Sequence, residues 1–143
     1  MRYLISSLLI IFTMACSSDD LRNHNNPNLI ATSVNYKISL DLPQFNSLKY
    51  PGGSVVIGHM GIKGIVVYAL NSDLYIAHEL SDPNHIPSQC SGMIVEGAHA
   101  KCTCPNDNNT YNLITGEHVT EKDMYPMLAY RAKRQGNTIH IYN

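Results

Sequence analysis

Thiol and imidazole side chains gather in two polar stretches of this 143-residue chain. One stretch opens with Cys102 and Cys104, which close a strand-like run over residues 98–102. The other follows a second strand-like run and carries His85 and Cys90. Thiolate and imidazole are ligands for zinc, copper and iron, and two thiols can instead form a disulfide. We therefore expect two facing loops that hold either a metal ion or a disulfide.

The cysteine count limits both possibilities. Cys16 ends an N-terminal apolar run, so three of the four cysteines remain for the loops, enough for one disulfide and one free thiol. On connectivity alone, Cys90 could pair with Cys104 or with Cys102. The metal alternative would use Cys102, Cys104 and His85, but the chain contains no C-x-x-C spacing to support it.

The segment that begins at Cys102 resembles the second ligand loop of Rieske domains. It reads C-T-C-P, followed at residues 111–117 by Y-N-L-I-T-G-E. This is similar to the family's C-P-C-H-G-S-x-F-x-L-x-T-G-E, with about two extra loop residues. Residues 126–131 and 136–141 look like the family's closing P-L-x-x-Y-x-V and G-x-x-I-x-I, so the resemblance covers residues 34–142. It implies stacked antiparallel sheets with a loop-built subdomain at one end, where two cysteines and two histidines hold a [2Fe-2S] cluster.

Most ligand positions implied by the resemblance hold residues that cannot bind iron as thiolate or imidazole does. Ser81 stands for the first cysteine and Pro83 for its histidine. Pro105 or Asn106 stands for the second histidine, which leaves Cys102 in a ligand position. One ligand cannot hold a [2Fe-2S] cluster, so we expect no cofactor.

The resemblance also implies a disulfide between the two loops. In respiratory-type Rieske domains the second cysteine of C-P-C-H pairs with a first-loop cysteine, which corresponds here to Cys104 with Cys90. Cys102 would then stay a buried or unreactive thiol. This pattern indicates a binding or structural module. The alternatives are a [2Fe-2S] electron-transfer protein with His85 among its ligands, or a protein that binds another metal.

The N-terminus predicts a lipid anchor. Residues 3–14 form an apolar run too short to span a bilayer, and the run ends at Ala15-Cys16, similar to the cleavage site of bacterial lipoproteins. We expect residues 1–15 to be a signal peptide, Cys16 to carry membrane-binding lipid, and residues 16–33 to be a polar tether. Ordinary secretion with an unmodified Cys16 is the alternative. The S-S-D-D that follows resembles export tags of Bacteroidetes surface lipoproteins, so we expect the cell envelope, at the outer membrane or cell surface.

Short apolar runs separated by turn residues predict strands throughout residues 34–143. Residues 34–42 alternate strictly between apolar and polar side chains, which predicts a half-buried strand. The runs on either side of Gly61 and Gly64 predict a hairpin, as do those that flank residues 135–137. No window sustains helical spacing, so we predict one all-β domain.

Composition excludes several functions. The net charge of −1, with both signs interspersed, offers no basic stripe for a nucleic acid. The glycine pairs read as turns, and no G-x-G-x-x-G phosphate cradle is present. We therefore predict no enzyme beyond an electron-transfer component. The expected partner is the membrane, reached through the lipid, and no segment identifies a protein partner.

Overall fold

The computed structural model describes residues 26–143, which form antiparallel strands and one short 3₁₀ helix. The strands are β1 (Asn35–Ser39), β2 (Ser54–Ile57), β3 (Ile65–Ala69), β4 (Tyr75–Glu79), β5 (Met93–Glu96), β6 (His99–Cys102), β7 (Thr110–Asn112), β8 (Ala129–Gln135) and β9 (Thr138–Tyr142). The all-β prediction is therefore confirmed.

Within the described residues the strands form two sheets. The larger has six strands in the order β1-β9-β8-β4-β3-β2, and the smaller has β5-β6-β7. Both predicted hairpins are present, as β2 with β3 and as β8 with β9. The smaller sheet and the loops around it form the subdomain that the sequence predicted at one end.

Strand β3 connects two hydrophobic cores because its side chains alternate between its faces. Ile65 and Val67 pack into the core of the larger sheet with Ile139 and Ile141. Val66 and Tyr68 face the smaller sheet and its loops, within the second core. All five residues of β3 are buried, which explains its uninterrupted apolar run.

His78 on β4 joins the larger sheet to the end of β7. Its Nε2 lies 3.1 Å from the Leu113 carbonyl oxygen, and burial lowers its pKa from 6.5 to about 4. Gly116 packs against the ring: a Cβ there would lie 2.9 Å from the His78 Cε1, and the backbone φ is 74°. The glycine of the T-G-E motif is thus required by close packing as well as by its backbone conformation.

Two regions differ from the sequence-based expectation. Strand β1 ends at Ser39 rather than at residue 42, because a turn follows it, in which the Leu42 backbone amide donates to the Ser39 carbonyl oxygen. The 3₁₀ helix Pro43–Lys49 comes next and buries Phe45 and Leu48, three residues apart. Leu42 is consequently 45% exposed.

Part of the predicted tether is packed. Leu29 is 6% exposed within the main core, and the side-chain amides of Asn26 and Asn28 both donate to the Pro83 carbonyl oxygen. The packed domain therefore begins before Val34. The predicted signal peptide and Cys16 lie outside the described residues. No helix in the part of the chain described here is long and apolar enough to cross a membrane.

Candidate functional site

The first loop leaves β4 at Glu79, whose carboxylate fixes the loop's starting point. This fully buried carboxylate accepts hydrogen bonds from the backbone amides of Ile62, Lys63 and Ser81, at 2.8, 2.7 and 3.0 Å. The Tyr130 hydroxyl donates a fourth bond at 3.0 Å. Glu79 thus ties the β2–β3 turn, the first loop and β8 to one point.

Asp82 forms the centre of the space between the two loops. Its carboxylate is fully buried and accepts hydrogen bonds from the Tyr111 hydroxyl (2.8 Å), the Asn84 backbone amide (2.8 Å) and the Asn109 side-chain amide (3.0 Å). Tyr111 lies on β7 and Asn109 in the second loop, so one carboxylate joins both loops to the smaller sheet. Burial, together with the Asp82 charge, raises the pKa of Tyr111 above its usual range.

The Cys102 thiol belongs to this same buried network. It is 4% exposed, and the ligand atoms of Cys102, Asp82 and Asp107 lie within 4.8 Å of one another. Burial raises the pKa of the thiol from 9.0 to about 12, and the hydrogen bond and charge of Asp82 act in the same direction. The Cys102 sulfur is therefore held as a neutral thiol at physiological pH.

Cys104 lies in a different environment, paired with Cys90. The structure joins these two as a disulfide with Cα atoms 4.7 Å apart, the pairing implied by the Rieske resemblance. The His85 Nε2 lies 3.6 Å from the Cys104 sulfur. Cys104 is 7% exposed, whereas His85 and Cys90 are half-buried, so this group lies at the surface end of the loops.

The structure places the predicted loops face to face. Besides the Asp82–Asn109 hydrogen bond, the Thr103 hydroxyl lies 2.8 Å from the Cys90 carbonyl oxygen, which joins the loops next to the disulfide. His85 lies beside Cys104, as the metal alternative requires, but Cys102 groups with carboxylates instead. That three-residue set is thus divided between two neighbouring clusters.

The remaining residues at cluster positions are scattered. Ser81 is fully buried, and its hydroxyl has no hydrogen-bond partner among the described residues. Pro83 is buried and lies under the N-terminal asparagines, whereas Pro105 and Asn106 are exposed. Asn106 has a φ of 64°, a conformation that asparagine adopts more readily than most residues. These positions do not form a common ligand set.

Sequence reasoning missed Asp82, the residue that organises the site. It also missed the hydrogen-bond partners Asn84, Asn109 and Tyr111, which read as loop and strand residues. The available signal was an acidic residue placed shortly after a strongly apolar strand, between Ser81 and Pro83. A carboxylate so close to buried backbone needs hydrogen-bond donors, and asparagine amides and a tyrosine hydroxyl supply them.

Comparisons with known proteins identify no family for this chain. No protein-family model matches the chain, and no curated protein matches it. Among solved structures, it resembles a chain of the complex of reduced oxygenase and oxidized ferredoxin in carbazole 1,9a-dioxygenase, with a TM-score of 0.49 and 17% identity. The match covers 78% of this chain and 94% of that chain. This likeness is too weak to carry an inference about what the chain does.

Proposed function

We propose that this chain is a lipid-anchored protein of the bacterial cell envelope whose Rieske-like domain has lost its [2Fe-2S] cluster and serves as a binding or structural module. The observation that carries the proposal is the Asp82 carboxylate. It lies between the two loops, where a Rieske-like domain would hold its cluster, and it is hydrogen-bonded to Tyr111, Asn84 and Asn109.

The donor set around Cys102 does not fit a [2Fe-2S] cluster. Such a cluster needs four cysteine or histidine ligands, whereas the atoms near the Cys102 sulfur belong to Asp82 and Asp107. Thiols bind metal as thiolates, and a pKa of about 12 opposes formation of a Cys102 thiolate. The carboxylates that raise this pKa would also repel the negative charge of a thiolate-bound cluster.

Other contacts would hold the loops together without a cluster. The Cys90–Cys104 pair crosses between the loops at the surface, and the Asp82 network crosses between them in the interior. A disulfide that closes a loop of this length contributes about 3 kcal/mol in the chain-entropy model. These links would leave the domain a rigid scaffold for contacts with other envelope components.

Anchoring is tested by metabolic labelling with a fatty-acid analogue in a bacterial host that processes lipoproteins. The full chain should be labelled and should sediment with membranes, because the apolar run ends at Ala15-Cys16. Cys16→Ala should lose the label, and Cys102→Ala, which removes a buried thiol, should keep it. A labelled Cys16→Ala variant, or an untethered wild type, would refute the anchor.

A further inference from the structure

The side chains of His85, Cys90 and Cys104 form a compact group that the proposed function leaves without a chemical role. Their sulfur and ring-nitrogen atoms lie within 4.8 Å of one another. We propose that reduction of the Cys90–Cys104 disulfide converts this group into a three-ligand site for a zinc-like divalent metal ion, with a fourth position open to water. The proposal uses neither Cys102 nor any cluster position, so it stands independently of cluster loss.

The tautomer of His85 favours metal binding. Its Nδ1 lies 2.6 Å from the Ile86 carbonyl oxygen, and because a carbonyl only accepts, Nδ1 carries the proton and donates it. The Nε2 therefore presents its lone pair, and it faces the Cys104 sulfur. A metal-binding histidine usually donates its other ring N–H to a carbonyl or carboxylate, which fixes the ring's orientation.

The distance between the His85 Nε2 and the Cys104 sulfur also fits a tetrahedral zinc site. Zinc binds imidazole nitrogen at about 2.0 Å and thiolate sulfur at about 2.3 Å, so a tetrahedral site places N and S about 3.5 Å apart. The His85 Nε2 and the Cys104 sulfur are 3.6 Å apart. The remaining adjustment is separation of the Cys90 sulfur from Cys104 once the bond between them is broken.

The surroundings support a reactive site more than a purely structural link. His85 and Cys90 are half-buried, so an ion can reach them from solvent. The Ser88 hydroxyl lies 3.5 Å from the Cys90 sulfur, where it can donate a hydrogen bond to a thiolate. Three protein ligands and an open position are the arrangement of exchangeable or catalytic zinc sites, whereas structural sites use four.

The chemistry balances with a dithiol reductant. Two electrons and two protons pass from the reductant to Cys90 and Cys104, the bond between the two sulfurs breaks, and the reductant leaves as a disulfide. Binding of the ion then releases the two thiol protons to solvent, while His85 binds through its lone pair. The metal keeps its oxidation state throughout.

Cobalt(II) is the probe, because it takes tetrahedral sites and its thiolate charge-transfer absorption reports sulfur ligands. The full chain is reduced in detergent with a phosphine, and the excess phosphine is removed under anaerobic conditions. The protein is then titrated with Co²⁺ and afterwards with Zn²⁺. The reduced chain should bind one Co²⁺ with thiolate absorption, Zn²⁺ should displace it, and the oxidised chain should show no such band.

Variants assign the ligands. Cys90→Ala and Cys104→Ala should lose the thiolate band. His85→Ala should weaken binding at least about tenfold, since second-shell partners alone contribute 10- to 100-fold. His99→Ala, at an exposed histidine on β6, and Cys102→Ala should bind like wild type. Circular dichroism follows the sheet signal of each sample.

Four outcomes of the titrations would overturn the site. These are a reduced wild type without the band, an oxidised chain with the same titration, His85→Ala binding as tightly as wild type, and loss of binding in Cys102→Ala. A chain that loses its sheet signal on reduction and is not refolded by Zn²⁺ would also overturn it. Iron and sulfide in the untreated protein would contradict cluster loss, whereas a failed cobalt titration of an iron-free chain would contradict this site, so the two failures are distinguishable.

Discussion

Cys102 and Cys104 are separated by a single residue but lie in opposite chemical environments. Cys102 faces the buried carboxylate of Asp82, and burial, with a lesser contribution from that carboxylate, raises its pKa and keeps it a neutral thiol. Cys104 is disulfide-bonded to Cys90 beside His85 near the surface, where we propose that a metal ion binds after reduction. The comparison shows that the interior between the two loops holds an unreactive thiol, whereas the surface end holds the disulfide and His85.

The end of β6 explains how neighbouring cysteines come to differ. Side chains two residues apart share a face only while the strand continues, and β6 ends at Cys102. The chain then turns, with the Asp107 backbone amide donating to the Cys104 carbonyl oxygen at 3.2 Å. Cys104 therefore leaves the sheet and reaches the first loop at Cys90.

Removal of the Asp82 carboxylate should have the largest effect on this arrangement. Asp82→Ala leaves the donors of Tyr111, Asn84 and Asn109 without their acceptor. A buried donor such as the Tyr111 hydroxyl costs about 1–3 kcal/mol when left unpaired, and the two part-buried amides cost less each, so we expect a loss of roughly 3–5 kcal/mol in the free energy of unfolding. Urea denaturation measures it.

Two companion variants sharpen that measurement. Asp123→Ala removes an exposed carboxylate and should change the free energy of unfolding by less than about 0.5 kcal/mol. Asp82→Asn keeps one acceptor oxygen, so its loss in the free energy of unfolding should lie between those of Asp82→Ala and Asp123→Ala. An Asp82→Ala protein as stable as Asp123→Ala would show that the interior does not depend on this carboxylate.

The reactivity of Cys102 is the next largest expected effect. Since its pKa is raised from 9.0 to about 12, its thiolate fraction at pH 8 should be about a thousandfold below that of an ordinary cysteine. Iodoacetamide labelling in the native protein should slow accordingly and accelerate about tenfold per pH unit from pH 8 to 11. Mass spectrometry of peptides assigns the label to each cysteine.

The same peptide measured in urea gives the reference rate. Unfolding should restore ordinary labelling of Cys102, because burial is the main cause of the raised pKa. Native labelling as fast as in urea would mean that Cys102 is exposed and that the contrast with Cys104 does not hold.

Loss of the Cys90–Cys104 disulfide should destabilise the domain less than loss of the Asp82 carboxylate. Cys90 and Cys104 are 14 residues apart, and a link of that span contributes about 3 kcal/mol. Cys90→Ala should therefore lower the melting temperature by roughly 10 °C. Peptide mapping without reductant should find Cys90 joined to Cys104. A Cys90–Cys102 peptide would contradict this pairing. An unchanged melting temperature would contradict the contribution of the disulfide to stability.

The sequence was informative about the fold wherever periodicity was strong. Alternation and glycine turns predicted the β2–β3 and β8–β9 hairpins, since a strand with one buried face must alternate. The sequence did not predict the 3₁₀ helix, because a seven-residue element that buries only Phe45 and Leu48 is too short to show a helical period. The packing of Leu29 was missed because one apolar residue among asparagines has no period.

The candidate site was less predictable than the fold. The polar stretches after strand-like runs indicated the two loops, and the resemblance to Rieske domains implied the pairing of Cys90 with Cys104. It could not indicate Asp82, because a buried carboxylate is recognised by its donors, and both of its side-chain donors come from 27 and 29 residues further along the chain, at Asn109 and Tyr111. Hydrogen bonds between distant segments leave no local pattern.

The iron and sulfide content of the purified chain tests the central claim most directly. The full chain is purified without oxygen, metal and acid-labile sulfide are quantified, and visible absorption and electron paramagnetic resonance spectra are recorded. We expect no stoichiometric iron or sulfide and no Rieske spectrum, because the Asp82 carboxylate is hydrogen-bonded between the loops and Cys102 is held as a neutral thiol. About two iron and two sulfide per chain, with the spectra of a Rieske centre, would contradict the account.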